Sequence, residues 1–159
     1  MTRRKFIFAD AMKVLKKKLK SLPDKSLDAM FLRHHEEVFN QTDCLDCGNC
    51  CKTLGPRLSK TDIRRMAKYL KIKEGDFYSS YLRVDEDGDT VMNALPCPFL
   101  GADNYCSVYP ARPKACREYP HTDHTKMKKY LNLLEKNLKT CPAAQQIVDR
   151  ITKDLGLPS

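Results

Sequence analysis

Four cysteines within eight residues, Cys44-Leu45-Asp46-Cys47-Gly48-Asn49-Cys50-Cys51, constrain this chain more than any other feature. They lie in a stretch, Asn40 to Gly55, where hydrophobic periodicity disappears, so the segment has no core-facing side to fold around. Two overlapping Cys-x-x-Cys steps fit neither disulfide halves nor plain core packing. The two-residue spacing instead lets a tight turn aim both thiolates, and neighbouring backbone N–H groups, at one ion. Gly48 falls where such a turn calls for a residue tolerant of positive φ.

The remaining cysteines are Cys97, Cys106, Cys116 and Cys141, eight in all. The first three belong to a proline-rich segment from Leu95 to Pro120 that buries little by itself and needs a staple. Cys141 precedes Pro142 at an expected helix start, where the helix dipole favours a thiolate. An even count would suit disulfides, but the apolar run from Phe6 to Ala9 stops at Asp10, so no secretory leader is expected. A reducing, cytosolic setting then disfavours disulfides. Metal ligation is the stronger reading, with all eight cysteines as candidate ligands. Eight thiolates make two Cys₄ zinc sets. Equally, Cys44-x-x-Cys47-x-x-Cys50 with a remote Cys97-Pro98 is similar to the ferredoxin run that holds 4Fe-4S clusters. The occupant, zinc or an iron–sulfur cluster, stays open. Adjacent Cys50 and Cys51 diverge, so one of them is expected to serve a different site or to lie behind the ligands.

The rest of the chain reads as mostly α. Phe8, Met12, Leu15 and Leu19 make one helical face, closed by Pro23. Leu27, Met30, Phe31, His34 and Val38 make a second between Ser26 and Val38, and the two suggest a helical hairpin. Ser59-Lys60-Thr61-Asp62 is a capping-box start for a helix carrying Ile63, Met66 and Leu70. Asp87-Gly88 predicts a β-hairpin between Tyr81–Val84 and Thr90–Met92. Two more helices follow, one from Lys126 to Leu138 and one from Cys141-Pro142 through Ile147, Ile151 and Leu155. The expectation is a single cysteine-cluster domain over residues 1–159. It comprises a basic helical segment (1–40), an irregular metal-binding lobe with one short β-hairpin (41–120) and C-terminal helices (121–159).

Of 159 residues, 29 are Lys or Arg and 20 Asp or Glu, a net charge of +9. Residues 1–20 hold eight of the basic residues against Asp10 alone, so that segment contributes +7 and the remaining 139 only +2. A basic leader on a near-neutral body is a weak nucleic-acid signature, and no aromatics alternate with the cations to stack bases. A solvated helix face is the simpler reading. No apolar stretch approaches the roughly 20 residues of a bilayer-crossing helix, so a membrane partner is not expected.

Taken together, Cys44-x-x-Cys47-Gly48-x-Cys50-Cys51, Pro96-Cys97-Pro98-Phe99-Leu100 and Cys106-x-Val108-Tyr109-x-x-Arg112-Pro113-x-x-Cys116-Arg117-x-Tyr119-Pro120 resemble the CxxCxxCC family, the YkgJ-type cysteine-cluster proteins. The resemblance runs from Cys44 to about Pro120 and implies chelation of zinc or iron, an iron–sulfur cluster included. The same signature occurs in the larger flagellin lysine methylases, which implies a redox or methyl-transfer accessory as an alternative. A nucleic-acid or partner-binding adaptor using residues 1–20 is another. Beside this, Arg112 and Arg117 bracket Cys116 and are candidates to offset the charge of a thiolate centre with N–H donors to sulfur. Tyr109, Tyr119, Pro113 and Pro120 are expected to wall the site. His121 and His124, three apart, are candidate extra ligands, with surface residues on a helix start as the simpler reading, and His34 and His35 read as structural or exposed. No paired carboxylates, Ser–His–Asp set or phosphate-cradling glycine loop occurs. The sequence therefore nominates no catalytic residue and leans against an enzyme.

Overall fold

The structure, a computed structural model, describes residues 3–158, with side chains from Asp10 onward. The expected Phe8 contact and the Arg3-Arg4-Lys5 side chains lie outside that range. Among the described residues there are nine α-helices and one two-stranded antiparallel hairpin, so the chain is mostly helical. No described helix is long and apolar enough to cross a membrane. The chain divides into two compact units, one built from residues 1–42 and 120–159, the other from 43–119.

The first unit holds α1 (Arg3–Ser21), α2 (Asp24–Phe39), a 3-10 turn (Met127–Tyr130), α8 (Leu131–Asn137) and α9 (Pro142–Asp154). Its core takes one stripe from each helix. Met12, Leu15 and Leu19 come from α1, Leu27, Phe31 and Val38 from α2, and Ile147, Val148 and Ile151 from α9, each set falling on one face of its helix. Burying each of these larger side chains is worth about 1.5–3 kcal/mol. The packing of α2 on α9 also carries a polar cluster. Buried His34 places Nε2 2.8 Å from Asp154 Oδ2 and Nδ1 3.2 Å from Glu37 Oε2. Arg33 pairs with Asp154, and Arg150 reaches Glu37 at 2.9 Å.

The helix expected over Lys126–Leu138 begins instead as the 3-10 turn. Lys126 is left-handed, with φ 62°, and the Asp28 carboxylate caps the turn by accepting the N–H groups of Lys126 and Met127 at 2.7 and 2.9 Å. The face of α1 is not wholly solvated, because Lys16 Nζ meets Glu135 at 2.7 Å.

The second unit holds α3 (Cys44–Cys47), α4 (Asn49–Thr53), α5 (Lys60–Leu70), α6 (Glu74–Tyr81), β1 (Leu82–Val84), β2 (Thr90–Met92), a 3-10 turn (Tyr109–Ala111) and α7 (Lys114–Glu118). The capping box forms as the sequence predicts. Ser59 Oγ accepts from Asp62 N while Asp62 Oδ2 accepts from Ser59 N at 3.0 Å. The hairpin pairs Leu82 with Met92 and Val84 with Thr90, and Gly88 turns at φ 79°. Tyr81, expected in the strand, instead closes α6, where it packs with Phe77 on Phe99. Met66, Phe77, Met92, Phe99 and Val108 form this unit's core, with Cys97 and Cys106 packed against it.

Candidate metal centre

The first cysteine loop is two short helices meeting at one glycine. Asp43 starts α3 by accepting the N–H of Leu45 at 2.8 Å, and Gly48 ends it at φ 59°, donating its N–H to the Cys44 carbonyl at 2.9 Å. Cys44 and Cys47 thus share one helical turn, and Cys50 and Cys51 follow on α4 after the left-handed break. The segment that lacked periodicity is therefore partly helical, in pieces too short to show a period. Lys52 Nζ reaches back to the Cys47 carbonyl at 3.0 Å.

The second loop is stitched to the first by main chain. Cys97 N–H donates to the Cys51 carbonyl at 2.8 Å, just after the cis Leu95–Pro96 bond. An isolated bridge pairs Leu100 with Cys106, and the turn between them carries Asn104, whose Nδ2 donates to the Leu45 carbonyl at 2.6 Å. A Cβ on Gly48 would lie 2.8 Å from Asn104 Oδ1, so glycine is required there by both φ and space.

Cys116 arrives on α7, its N–H donating to the Pro113 carbonyl at 3.0 Å. Upstream, Arg112 lies over the Tyr109 ring at 3.7 Å and donates to the Tyr109 carbonyl at 3.0 Å. Arg117 Nη1 donates to the Arg112 carbonyl at 3.1 Å, so this donor is aimed at backbone rather than at sulfur.

Seven thiols therefore gather in the second unit. Cys44 is exposed and the other six partly buried. Their electrostatics record the gathering. Burial pushes the Cys116 thiol up to about 12, helped by the neighbouring Cys51, Cys97 and Cys106 and opposed by Arg112. Burial also raises Cys44, Cys97 and Cys106, with Cys51 as a contributing neighbour in each case and Arg112 opposing at Cys44 and Cys106. Cys50 and Cys51 place their sulfurs 3.9 Å apart and share a hydrogen bond. The pair shares a proton across that bond, so one thiol is held protonated while the other ionises more readily than an isolated cysteine, with Lys52 favouring the ionised form.

A tetrahedral zinc–thiolate site, with Zn–S near 2.3 Å, needs sulfurs about 3.8 Å apart. The Cys50–Cys51 pair has that separation. Among the described residues no third cysteine sulfur lies within 4.8 Å of both. The donor set is all sulfur, partly shielded and close to a cation, which suits a thiophilic metal.

Cys141 belongs to the first unit, where its sulfur caps α9 by accepting the Ala144 N–H at 3.4 Å. His121 and His124 are also in that unit, in a loop rather than on a helix start. Their ring nitrogens face each other at 2.9 Å, and both rings stack on Tyr130. His34 lies in the polar cluster of α2 and α9, and His35 Nδ1 is 2.8 Å from buried Thr122 Oγ1. Sequence reasoning did not nominate Asn104 or Lys52, whose side chains bond to main chain of the first cysteine loop.

Comparison with known proteins decides the family. The CxxCxxCC pattern, described as "Putative zinc- or iron-chelating domain", matches residues 43–142. The chain belongs to the CxxCxxCC family. A stretch of 82 residues is also 32% identical to the uncharacterized protein MJ0661 of Methanocaldococcus jannaschii. That stretch covers 50% of this chain and 44% of the relative, so the match spans under half of that protein's length. No solved structure matches the chain. Within the CxxCxxCC match lie all seven thiols of the second unit, together with Cys141.

Proposed function

We propose that the CxxCxxCC chain binds its metal through the thiolates of Cys44, Cys47, Cys50, Cys51, Cys97, Cys106 and Cys116, and that an iron–sulfur cluster is the better occupant. The carrying observation is the sulfur arrangement. One zinc ion and one cluster each take four thiolates, but among the described residues no three of these seven sulfurs lie within 4.8 Å of one another, a wider set than one small ion gathers. A polynuclear centre holds its thiolates on separate metal atoms and suits the wider spacing. Arg112, which opposes thiol protonation at Cys44, Cys106 and Cys116, would offset part of the negative charge of such a centre. Bound, the cluster would supply an electron-transfer or Lewis-acid centre, while the chain's own residues bind and orient it. So many free thiols suit a reducing compartment, and the cytosol is the proposed location.

The test is elemental analysis and a visible spectrum of the full chain purified without oxygen. Iron, inorganic sulfide and broad visible absorption are expected. A colourless protein carrying zinc would reject the cluster and keep thiolate chelation. A metal-free, folded protein would reject both.

A further inference from the structure

The strongest unassigned feature is a buried carboxylate that reaches, from a helix bearing no cysteine, the start of the short helix carrying Cys116. Asp62, on the first turn of α5, is only 3% exposed and has each oxygen in use. Oδ2 accepts from Ser59 N and Ser59 Oγ, at 3.0 and 2.6 Å, which accounts for the cap. Oδ1 does something a cap does not need. It accepts the backbone N–H of Lys114, 52 residues away, at 3.0 Å, and the Arg65 guanidinium at 2.5 Å. Arg65 in turn donates Nε to the Ala111 carbonyl at 3.2 Å and Nη2 to the Arg112 carbonyl at 2.8 Å. Three backbone groups between Ala111 and Lys114 are thereby fixed to α5. This is the segment that carries Arg112 and leads through Pro113 into the turn of Cys116.

We propose that Asp62 and Arg65 are positioning residues of the metal centre, which set the place of Cys116 and Arg112 by clamping the backbone between residues 111 and 114. The proposal rests on the reading of Cys116 as a ligand. The geometry separates the two duties of one carboxylate. The Ser59 side serves helix stability, and the Lys114 side serves the metal.

The decisive variant is Lys114→Pro. Residue 114 is the first of α7, where proline is accommodated, so this change deletes the N–H that Asp62 accepts and sets the ring against Asp62 Oδ1, opening the Lys114 side of the carboxylate while altering no residue of the α5 cap. Lys114→Ala keeps that N–H and controls for the lost side chain. Asp62→Ala removes both duties, and Ser59→Ala weakens the cap alone. The readouts are the rate at which EDTA strips metal from the purified holoprotein, its visible spectrum, and peptide-resolved alkylation of Cys116. Loss of a group that orients a metal ligand typically costs 10–100-fold in affinity. Lys114→Pro and Asp62→Ala should therefore lose metal about tenfold faster or more, with a shifted spectrum and faster labelling of Cys116. Lys114→Ala and Ser59→Ala should behave like the parent. Parent-like stripping, spectrum and labelling in Lys114→Pro would overturn the clamp. Cys116→Ser separates the two ideas: if it retains metal and spectrum in full, the ligand reading itself fails.

Discussion

The backbone N–H of Cys97 donates to the carbonyl of Cys51 at 2.8 Å, joining the two cysteine loops by main chain. Asn104 adds a second stitch, to the Leu45 carbonyl at 2.6 Å. The loops are thus held in register by groups other than the thiols, and the break at Gly48 is the point where both stitches depend on local shape.

Gly48→Ala should disturb that register. The new methyl would meet Asn104 Oδ1 at 2.8 Å, on a residue with φ 59°. Left-handed backbone alone costs a non-glycine residue about 1–2 kcal/mol. A lower melting temperature and less metal per chain are expected from calorimetry and elemental analysis of the variant. Parent values for both would show that the turn does not set the loops.

Thiol reactivity should be strongly uneven once metal has been removed. The Cys50–Cys51 pair shares a proton and ionises its first thiol more readily than an ordinary cysteine, whereas Cys116, pushed up to about 12, is protonated at neutral pH. Iodoacetamide at pH 7 should label the Cys50–Cys51 pair well before Cys116, with the pair's rate climbing as pH rises. Mass spectrometry of the peptides reads this directly. For the same reason metal should be released as pH falls, since protons compete for every thiolate ligand.

Asp62 makes a prediction about acid stability. Its hydrogen bonds from Ser59, Arg65 and Lys114 outweigh burial and hold the carboxyl near 2, below an ordinary 3.8. A lowered folded-state pKa stabilises above the unfolded value, and that contribution is lost as pH falls through about 4 toward 2. The shift corresponds to about 2 kcal/mol at neutral pH. Urea melts at pH 7 and pH 2.5 should therefore differ less in Asp62→Ala than in the parent. An identical pH dependence in both proteins would remove Asp62 from the account.

Cys141→Ser should be the mildest cysteine replacement. The sulfur accepts the Ala144 N–H at the start of α9, and serine is among the preferred residues at that position. Stability should hold or rise, and metal per chain should stay at the parent value. Cys141→Val, which lacks an acceptor, should lose about 1 kcal/mol. A drop in metal for Cys141→Ser would add this thiol to the ligands.

Much of this fold was legible because its signals are local. The Ser59–Asp62 cap, the Asp87-Gly88 turn, the stripes of α1 and α2, and Pro142 opening α9 each occupy a few adjacent residues. What escaped is short or distant. Helices α3, α4 and α7 have four or five residues, too few for a period, and α6 buries only Phe77 within its eight. The positive φ of Lys126 and its capping by Asp28 depend on a partner 98 residues away. Of the site, the thiols were visible as residue types. The bonds from Asn104, Arg65 and Asp62 were not, because a partner that is a backbone group leaves no mark in the sequence.

The two units differ in how the chain supplies them. Residues 43–119 are one uninterrupted run, whereas the other core joins Met12 and Phe31 to Ile147 and Ile151. During synthesis every residue of the cysteine-bearing run is joined before Ile147 and Ile151 of the helical core exist. The helical core is thus the later of the two to have all its parts, because α9, which completes it, is the last described helix that the chain supplies.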